Sequence, residues 1–151
     1  MLALVGFLGL SLLVALSAGA VTATSVHTWY LSLRRPPGTP PNWVFGPVWT
    51  TPYLMMAAAA WLVWRRTGGG RALRLWGWQL LANALWTPAF FGLRLPGLAL
   101  LVMGALVVLL GRTVRIFGRI VPLAALLLLP YCVLVLYATY LTAGFWWLNG
   151  D

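Results

Sequence analysis

The sequence has almost no acidic residues: Glu is absent, and Asp151 is the single Asp in a chain of 151 residues. Without internal carboxylates, the chain lacks the groups for carboxylate acid/base catalysis, carboxylate metal sites and carboxylate proton relays. Cys132 is the single cysteine, which excludes an internal disulfide, and we interpret it as a packing residue. We interpret the single histidine, His27, as an interfacial polar residue, with a haem ligand as the alternative. The sequence therefore predicts no catalytic residue and no metal site.

Lysine is also absent, and the ten basic residues, all Arg, give a formal net charge of +9. The arginines fall in the gaps between apolar runs, which indicates positive loops at a membrane surface rather than a nucleic-acid partner. Seven lie on one predicted side of the membrane and three on the other: Arg65, Arg66, Arg71, Arg74, Arg112, Arg115 and Arg119 against Arg34, Arg35 and Arg94. Because cytoplasmic loops are rich in basic residues, we expect the N-terminus inside and the C-terminus outside a prokaryotic cell membrane.

Apolar residues make up 62% of the chain and charged residues 7%, and the mean hydropathy is +0.93. A helix that crosses about 30 Å of hydrocarbon needs about 20 apolar residues, so the chain has room for five such helices. We therefore predict an all-α polytopic membrane protein, a bundle of five transmembrane helices forming a single domain. The predicted spans are approximately 2–26, 43–64, 73–92, 95–110 and 120–143, and a proline-rich segment at 27–42, here called the proline loop, joins the first two.

The proline loop carries four prolines within six residues, at positions 36, 37, 40 and 41. Proline restricts its own backbone and that of the preceding residue, so we expect this loop to be ordered. Ordered long loops are often lids, and Trp29 and Tyr30 would then face a cavity. The alternative is that these two aromatic residues are interfacial anchors.

An aromatic stripe begins the second predicted span. Phe45, Trp49 and Tyr53 are spaced at i, i+4 and i+8, which places them on one face of a helix. Pro52 lies within the same span and predicts a kink beside the stripe. We interpret the stripe as the lining of a cavity.

The third predicted span carries a second stripe, in which Gln79, Asn83, Trp86 and Phe90 share a face. Amides in hydrocarbon need hydrogen-bond partners, so Gln79 and Asn83 must face other helices or a cavity. Two interpretations remain: hydrogen bonding between helices alone, or a cavity lining that includes Trp86. Pro88 predicts a kink here as well.

The remaining spans give weaker signals. In the first, a stripe of small residues predicts close packing inside the bundle: Ser11, Ala15, Gly19 and Ala23. In the fifth, one face carries Tyr131, Leu134, Ala138 and Thr142, and the chain ends in a predicted interfacial aromatic belt of Phe145, Trp146 and Trp147.

Segments of this sequence together resemble the TspO/MBR family, also called the translocator protein, tryptophan-rich sensory protein or peripheral-type benzodiazepine receptor family. They are WY at 29–30, PPNWVFGPVWTTPY at 40–53, QLLANALWTPAFFG at 79–92, and PY at 130–131 with LN at 148–149. The resemblance covers essentially the whole chain.

The resemblance implies a five-helix bundle, usually a homodimer, with one ligand cavity per subunit capped by the loop after the first helix. Members bind porphyrins, haem and, in animals, cholesterol and synthetic ligands, so porphyrin or haem is the implied ligand, and no cofactor is required. Carried over by position, the pocket residues are Trp29, Tyr30, Pro41, Trp43, Phe45, Trp49, Asn83, Trp86 and Ala138. The stripes described above add Tyr53, Phe90 and Leu134 to this set.

Two positions on the fifth span depart from the family pattern. Leu134 stands where many members have a Trp, and Thr142 stands where an Asn is usual. Light-driven porphyrin breakdown has been attributed in bacterial members to two pocket tryptophans, of which only Trp49 is present here. The departure weakens the enzymatic interpretation, although Leu134 still supplies apolar wall.

We therefore expect a membrane receptor or carrier for a planar hydrophobic ligand, a tetrapyrrole first and a sterol-like lipid second. The alternatives are a light-dependent porphyrin-degrading enzyme and a structural or partner-modulating membrane protein with an unused cavity. Expected partners are the lipid bilayer, the hydrophobic ligand and a second copy of the chain.

Overall fold

The structure, a computed structural model, describes residues 2–23, 28–39 and 45–150, and within them the side chains other than those of residues 23 and 45–49. In this part of the chain, five long helices and one short helix follow in order. They are α1 (Leu2–Ala23), α2 (Trp29–Ser32), α3 (Phe45–Thr67), α4 (Arg71–Thr87), α5 (Pro96–Ile120) and α6 (Pro122–Asn149), with a π-helical turn (Pro88–Gly92) directly after α4. The protein is all-α, as predicted.

The ends of the helices follow from local sequence. Three consecutive glycines separate α3 from α4, and all have positive φ: 70° at Gly68, 147° at Gly69 and 99° at Gly70. Other residues would be strained in this backbone conformation, which explains why glycine occupies these positions. Pro96 and Pro122 occupy the first turns of α5 and α6, where a missing N–H costs no hydrogen bond.

The five long helices close into a ring. α3 packs against α1 and α6, α6 packs against α5, α5 packs against α4, and α4 packs against α1. The described part of the proline loop, residues 28–39 with α2, lies against the C-terminal half of α6. One end of the bundle is therefore covered by this loop.

Three of the helices in the described residues are long and apolar enough to cross a membrane by length and composition: 2–22, 96–120 and 122–149. The other two long helices, α3 and α4, are the ones that carry the predicted polar and aromatic stripes. Polar residues that face the inside of the bundle lower the mean hydropathy of a helix, although they are not exposed to lipid. With the π-helical turn, the helical segment that starts as α4 continues from Arg71 to Gly92.

α5 corrects the predicted end of the fourth span. The helix continues to Ile120 rather than ending near Leu110, so Arg112, Arg115 and Arg119 lie on the last turns of a helix and not in a connection. Their exposed side chains join those of Arg65, Arg66, Arg71 and Arg74 at the end of the bundle opposite the proline loop.

The segment after α4 also differs from prediction. Pro88 does not simply kink the helix. A π-helical turn follows, in which the Leu93 N–H donates to the Pro88 carbonyl at 2.7 Å. This wider turn allows two consecutive aromatic residues, Phe90 and Phe91, to be buried together.

Candidate functional site

The inner face of α4 holds a hydrogen-bonded polar group at the centre of the bundle. The Tyr53 hydroxyl on α3 donates to Asn83 Oδ1, and Asn83 Nδ2 donates to the Tyr131 hydroxyl on α6 at 2.8 Å. All three side chains are buried. This group, here called the central triad, joins three helices through neutral side chains, as an amide in hydrocarbon requires.

Two further polar residues extend this face in both directions. Trp86 Nε1 donates to Thr142 Oγ1 on α6 at 3.1 Å, on the side of the proline loop. Gln79 Nε2 donates to Met56 Sδ on α3 at 3.1 Å, on the opposite side. The stripe predicted on the third span is therefore a polar column along the inner face of α4, and each of its polar members contacts another helix.

Above the column, Phe90 is the centre of an aromatic cluster. Its ring centroid lies 5.5 Å from Trp86 in a stacked arrangement, 5.6 Å from Trp29 and 5.5 Å from Phe145 in edge-to-face arrangements. Tyr30 and Phe91 complete the cluster. The ring separations are those of favourable aromatic pairs, so the cluster is a packed unit of six rings drawn from α2, α4, the π-helical turn and α6.

The proline loop contributes to this cluster through α2. Tyr30 is 1% exposed and its ring lies 5.5 Å from Phe91 and 5.4 Å from Phe145. The Arg35 guanidinium lies over the Tyr30 ring, 5.1 Å from its centroid. Burial raises the pKa of Tyr30, and Arg35 opposes this shift, so the phenol stays neutral near pH 7. Tyr30 is therefore a packed residue and not an exposed anchor.

The last turns of α6 hold the proline loop through its main chain. Asn149 Oδ1 accepts from the Arg34 N–H at 2.8 Å, while Asn149 Nδ2 donates to the Arg34 carbonyl at 2.9 Å. The Tyr140 hydroxyl donates to the Pro37 carbonyl, and the Tyr137 hydroxyl donates to the Gly38 carbonyl. We call these contacts the loop clasp. It binds backbone atoms, so it does not depend on the side chains of the loop.

Gly144 lets the loop approach α6 closely. A Cβ atom built on Gly144 would lie 2.5 Å from Pro36 Cβ and 2.8 Å from Pro36 Cγ. Non-bonded carbon atoms do not approach each other this closely. Any larger residue at position 144 must therefore displace the buried Pro36 and with it the loop.

The structure brings together most of the predicted site residues whose side chains it describes. Tyr53 and Asn83 are in the central triad, and Trp29, Tyr30, Trp86 and Phe90 are in the aromatic cluster. On α6, Ala138 is buried beside the triad residues in one core cluster, and Leu134 is half-buried. Pro41 and Trp43 lie outside the described residues. Phe45 and Trp49 lie in the first turns of α3, but the structure does not describe their side chains.

Two predictions about neighbouring residues are corrected, and one residue was missed. Phe145 was expected in an exposed aromatic belt but is buried in the aromatic cluster, whereas Trp146 and Trp147 are exposed. Gly19 was expected inside the bundle but is exposed, whereas Ser11 is buried and Ala15 packs against the core; the side chain of Ala23 lies outside the described residues. Tyr131 was not among the predicted site residues, although its buried hydroxyl completes the triad. Its position beside Pro130 gave no signal of a polar partner.

Comparison with known proteins is consistent with this architecture. Residues 7–148 match the TspO/MBR family. The chain is 36% identical over 132 residues to the tryptophan-rich sensory protein of Cereibacter sphaeroides, covering 86% of this chain and 84% of the relative. It is 39% identical over 127 residues to the translocator protein of Homo sapiens, covering 78% of this chain and 73% of the relative. It is 35% identical over 135 residues to the tryptophan-rich protein TspO of Archaeoglobus fulgidus, covering 85% of this chain and 84% of the relative. The ring of five long helices described above is thus a transmembrane bundle, and the chain belongs to the TspO/MBR family.

Proposed function

We propose that this protein is an integral membrane receptor or carrier that binds a planar hydrophobic ligand, a porphyrin or haem, within the bundle beneath the proline loop. The observation that carries the proposal is the aromatic cluster around Phe90, whose rings come from the loop, α4, the π-helical turn and α6. Aromatic faces stack on flat conjugated ligands, and a few polar groups are enough to fix the orientation of such a ligand.

The arrangement beside the cluster supports this class of ligand. The hydrogen-bonded polar groups on the inner side of the aromatic cluster are neutral: the Trp86 indole, the Thr142 hydroxyl and the central triad. Neutral donors and acceptors can orient a mostly apolar ligand without the large desolvation cost of a buried charge. Arg35, over Tyr30 at the surface of the loop, could meet an acidic group of such a ligand at the entrance.

Opening of the loop is the access route in this proposal. The loop clasp and the close contact of Pro36 with Gly144 hold α2 over the aromatic cluster. A ligand that enters from the loop end must break these contacts, so the clasp controls the rate of exchange. The proline loop is a lid in this sense.

Binding without degradation is the favoured form of the proposal. The sequence places an aliphatic residue, Leu134, where many family members have a Trp, and Leu134 is half-buried on α6. An aliphatic side chain cannot be photo-oxidised or relay an electron hole, so we propose slow or absent light-dependent turnover.

Titration of the purified protein with a porphyrin, followed by tryptophan quenching in the dark and then under illumination, tests the proposal. We expect saturable binding in the dark. Trp49→Ala should weaken binding roughly 5- to 150-fold, the equivalent of about 1–3 kcal/mol for one stacked aromatic face. Trp78→Ala is the matched control, because Trp78 is 58% exposed on α4 in the half of the bundle away from the loop, and it should leave affinity unchanged. Equal effects of the two substitutions would contradict the proposed site.

Illumination separates binding from degradation. The unmodified protein should retain the porphyrin absorption band, whereas Leu134→Trp should increase its light-dependent loss. Rapid loss with the unmodified protein would instead favour the porphyrin-degrading enzyme. Absence of saturable binding would favour a structural or partner-modulating protein.

The orientation and oligomeric state are proposed on the same basis. Seven exposed arginines lie at the end of the bundle opposite the proline loop, so we propose that the loop is outside and this end inside. In a Cys132→Ser background, a cysteine placed at position 71 should be protected from a membrane-impermeant thiol reagent in intact cells, and one placed at position 38 should be labelled. The reverse pattern would contradict this orientation.

The homodimer that the family resemblance implies remains a prediction, which mass measurement in native nanodiscs would test.

A further inference from the structure

Three buried side chains in the half of the bundle away from the proline loop have polar atoms without a hydrogen-bond partner in the described part of the chain. They are Ser11 Oγ on α1, and Trp76 Nε1 and Gln79 Oε1 on α4. Ser11 and Gln79 are 0% exposed and Trp76 is 2% exposed. A buried polar atom without a partner costs free energy, and most such atoms in native proteins bind water.

Ser11 and Gln79 lie at one level of the bundle, and Trp76 lies about one turn before Gln79 on α4. The rings of Phe7 on α1 and Trp76 on α4 are in edge-to-face contact, with centroids 5.4 Å apart. α1 and α4 run in the same direction, so Ser11, one turn beyond Phe7, lies level with Gln79, about one turn beyond Trp76. Gln79 Nε2 contacts Met56 Sδ on α3, and α1, α3 and α4 pack against one another. Ser11, Met56 and Gln79, all fully buried, therefore mark the meeting point of three helices.

Ser11 differs from six other serine and threonine residues of the long helices. Six hydroxyls each donate to the main-chain carbonyl four residues earlier, those of Ser17, Thr22, Thr67, Thr113, Thr139 and Thr142. Ser11 makes no such bond among the described residues. Its hydroxyl is therefore available for an interaction outside its own helix.

The Gln79 amide cannot satisfy itself by rotation. A 180° flip would exchange the oxygen and nitrogen facing Met56, but one of the two atoms would still lack a partner. The site therefore has an unmet hydrogen-bonding requirement in either orientation of the amide.

We propose that this meeting point of α1, α3 and α4 is a binding site for one buried water molecule. The chemistry of the three groups is complementary to water: Gln79 Oε1 accepts, Trp76 Nε1 donates, and the Ser11 hydroxyl does either. A buried water needs two to four polar partners, and three are available here. The water links α1 to the polar column of α4, at the side of the column away from the central triad.

Radiolytic hydroxyl-radical labelling of the unmodified protein tests the site directly, because radicals formed from a bound water oxidise side chains that touch it. Met56 is 0% exposed and Met103, in the same core cluster on α5, is 1% exposed, so neither is reached from outside. We expect Met56 to be oxidised faster than Met103. Equal oxidation of the two methionines would overturn the proposal.

The sign of a stability change provides a second test. If Ser11 is unpaired in a dry interior, Ser11→Ala removes a buried polar group and raises the Tm. If the hydroxyl holds a water, the same substitution removes a partner and lowers the Tm, by roughly 2–4 °C for a protein of this size. Trp76→Phe should also lower the Tm, but it removes ring volume as well as the N–H group, so Ser11→Ala decides this test. A rise in Tm for Ser11→Ala would overturn the proposal.

Matched controls lie on the same helices. Ser17 on α1 is exposed and its hydroxyl is bound to the Leu13 carbonyl, and Trp78 on α4 is 58% exposed. Ser17→Ala and Trp78→Phe should leave the Tm nearly unchanged. In Ser11→Ala, Met56 oxidation should also fall toward the rate of Met103, which a merely structural effect of the substitution would not cause.

Discussion

α1 and α4 lie side by side in the bundle but have opposite relations between hydrophobicity and burial. α1 has the highest mean hydropathy of the membrane-spanning candidates, 2.3, yet Ser11 is the one buried residue among its described side chains. α4 carries Gln79, Asn83 and Thr87, and all three polar residues are buried. In a water-soluble protein, the more apolar helix would lie inside.

The difference follows from the solvent around each helix. Lipid chains are as apolar as leucine, so α1 gains nothing from burying its leucines and exposes them. Polar side chains in hydrocarbon are costly unless they are paired, so α4 turns them inward to partners on α3 and α6. Inside the membrane, burial therefore reports the need for hydrogen bonds and packing more than hydrophobicity.

The largest test applies one substitution to both helices. Leu80 on α4 is 3% exposed and Leu13 on α1 is 60% exposed. We expect Leu80→Ala to lower the free energy of unfolding by about 2–5 kcal/mol through cavity formation, and Leu13→Ala to change it by less than about 0.5 kcal/mol. Reversible unfolding in mixed micelles would measure both. Equal losses would mean that α1 is covered by protein.

A charge on α1 sharpens the comparison. Leu13 lies near the middle of α1 and Leu2 at its first residue. Arginine at the centre of a membrane helix costs about 2.5–3.5 kcal/mol on insertion scales and much less near the ends. Leu13→Arg should therefore reduce the membrane-inserted fraction, while Leu2→Arg should not. Equal insertion of the two variants would show that the exposed face of α1 does not meet lipid.

In the loop clasp, unlike in α4, the hydrogen bonds join exposed or half-buried groups at the end of the bundle. Asn149→Leu removes both hydrogen bonds to the Arg34 main chain. At about 0.5–1.5 kcal/mol for each bond, the open population of the loop should rise roughly 5- to 150-fold. Hydrogen exchange in residues 28–39 would measure this increase.

The same exchange experiment has two comparisons. Gly144→Ala should also accelerate exchange in the loop, because Pro36 must move away from the new Cβ. Trp78→Leu, at an exposed position on α4 in the half of the bundle away from the loop, should have no effect. Unchanged exchange in Asn149→Leu would show that the clasp does not hold the loop closed.

The smallest expected effect concerns the central triad. Tyr131→Phe leaves Asn83 Nδ2 without its acceptor. Hydrogen bonds between membrane helices contribute about 0.6 kcal/mol on average and about 1.7 kcal/mol at most, so the loss of unfolding free energy should fall in this range. In a double-mutant cycle, Tyr131→Phe should have almost no effect when Asn83 is already replaced by Leu. Additive effects would show that the two residues are not coupled.

Spacing along the chain predicted which face of α4 is turned inward. The stripe of Gln79, Asn83, Trp86 and Phe90 lies on the inner face of α4 or the turn that follows it, because a regular helix repeats every 3.6 residues. The membrane class could also be predicted, since apolar length and charge are properties of composition. These inferences needed no knowledge of which helices are neighbours.

Other features did depend on that knowledge. The partner of Asn83 lies 48 residues away on α6, and the partner of Asn149 lies 115 residues away in the proline loop. Phe145 belongs to a run of three aromatic residues, and only the packing of α2 and the π-helical turn decides that it is buried while Trp147 is exposed.

By itself, the sequence determined that this protein is an all-α membrane protein and which face of the third span is polar, because lipid solvation and helical periodicity act locally along the chain. Only the tertiary structure decided how that face is satisfied: the triad with Tyr53 and Tyr131, the wide turn that buries both Phe90 and Phe91, and the clasp on Arg34. Each of these features requires contact between segments that are far apart in the sequence, and packing of the whole bundle sets the distances between those segments.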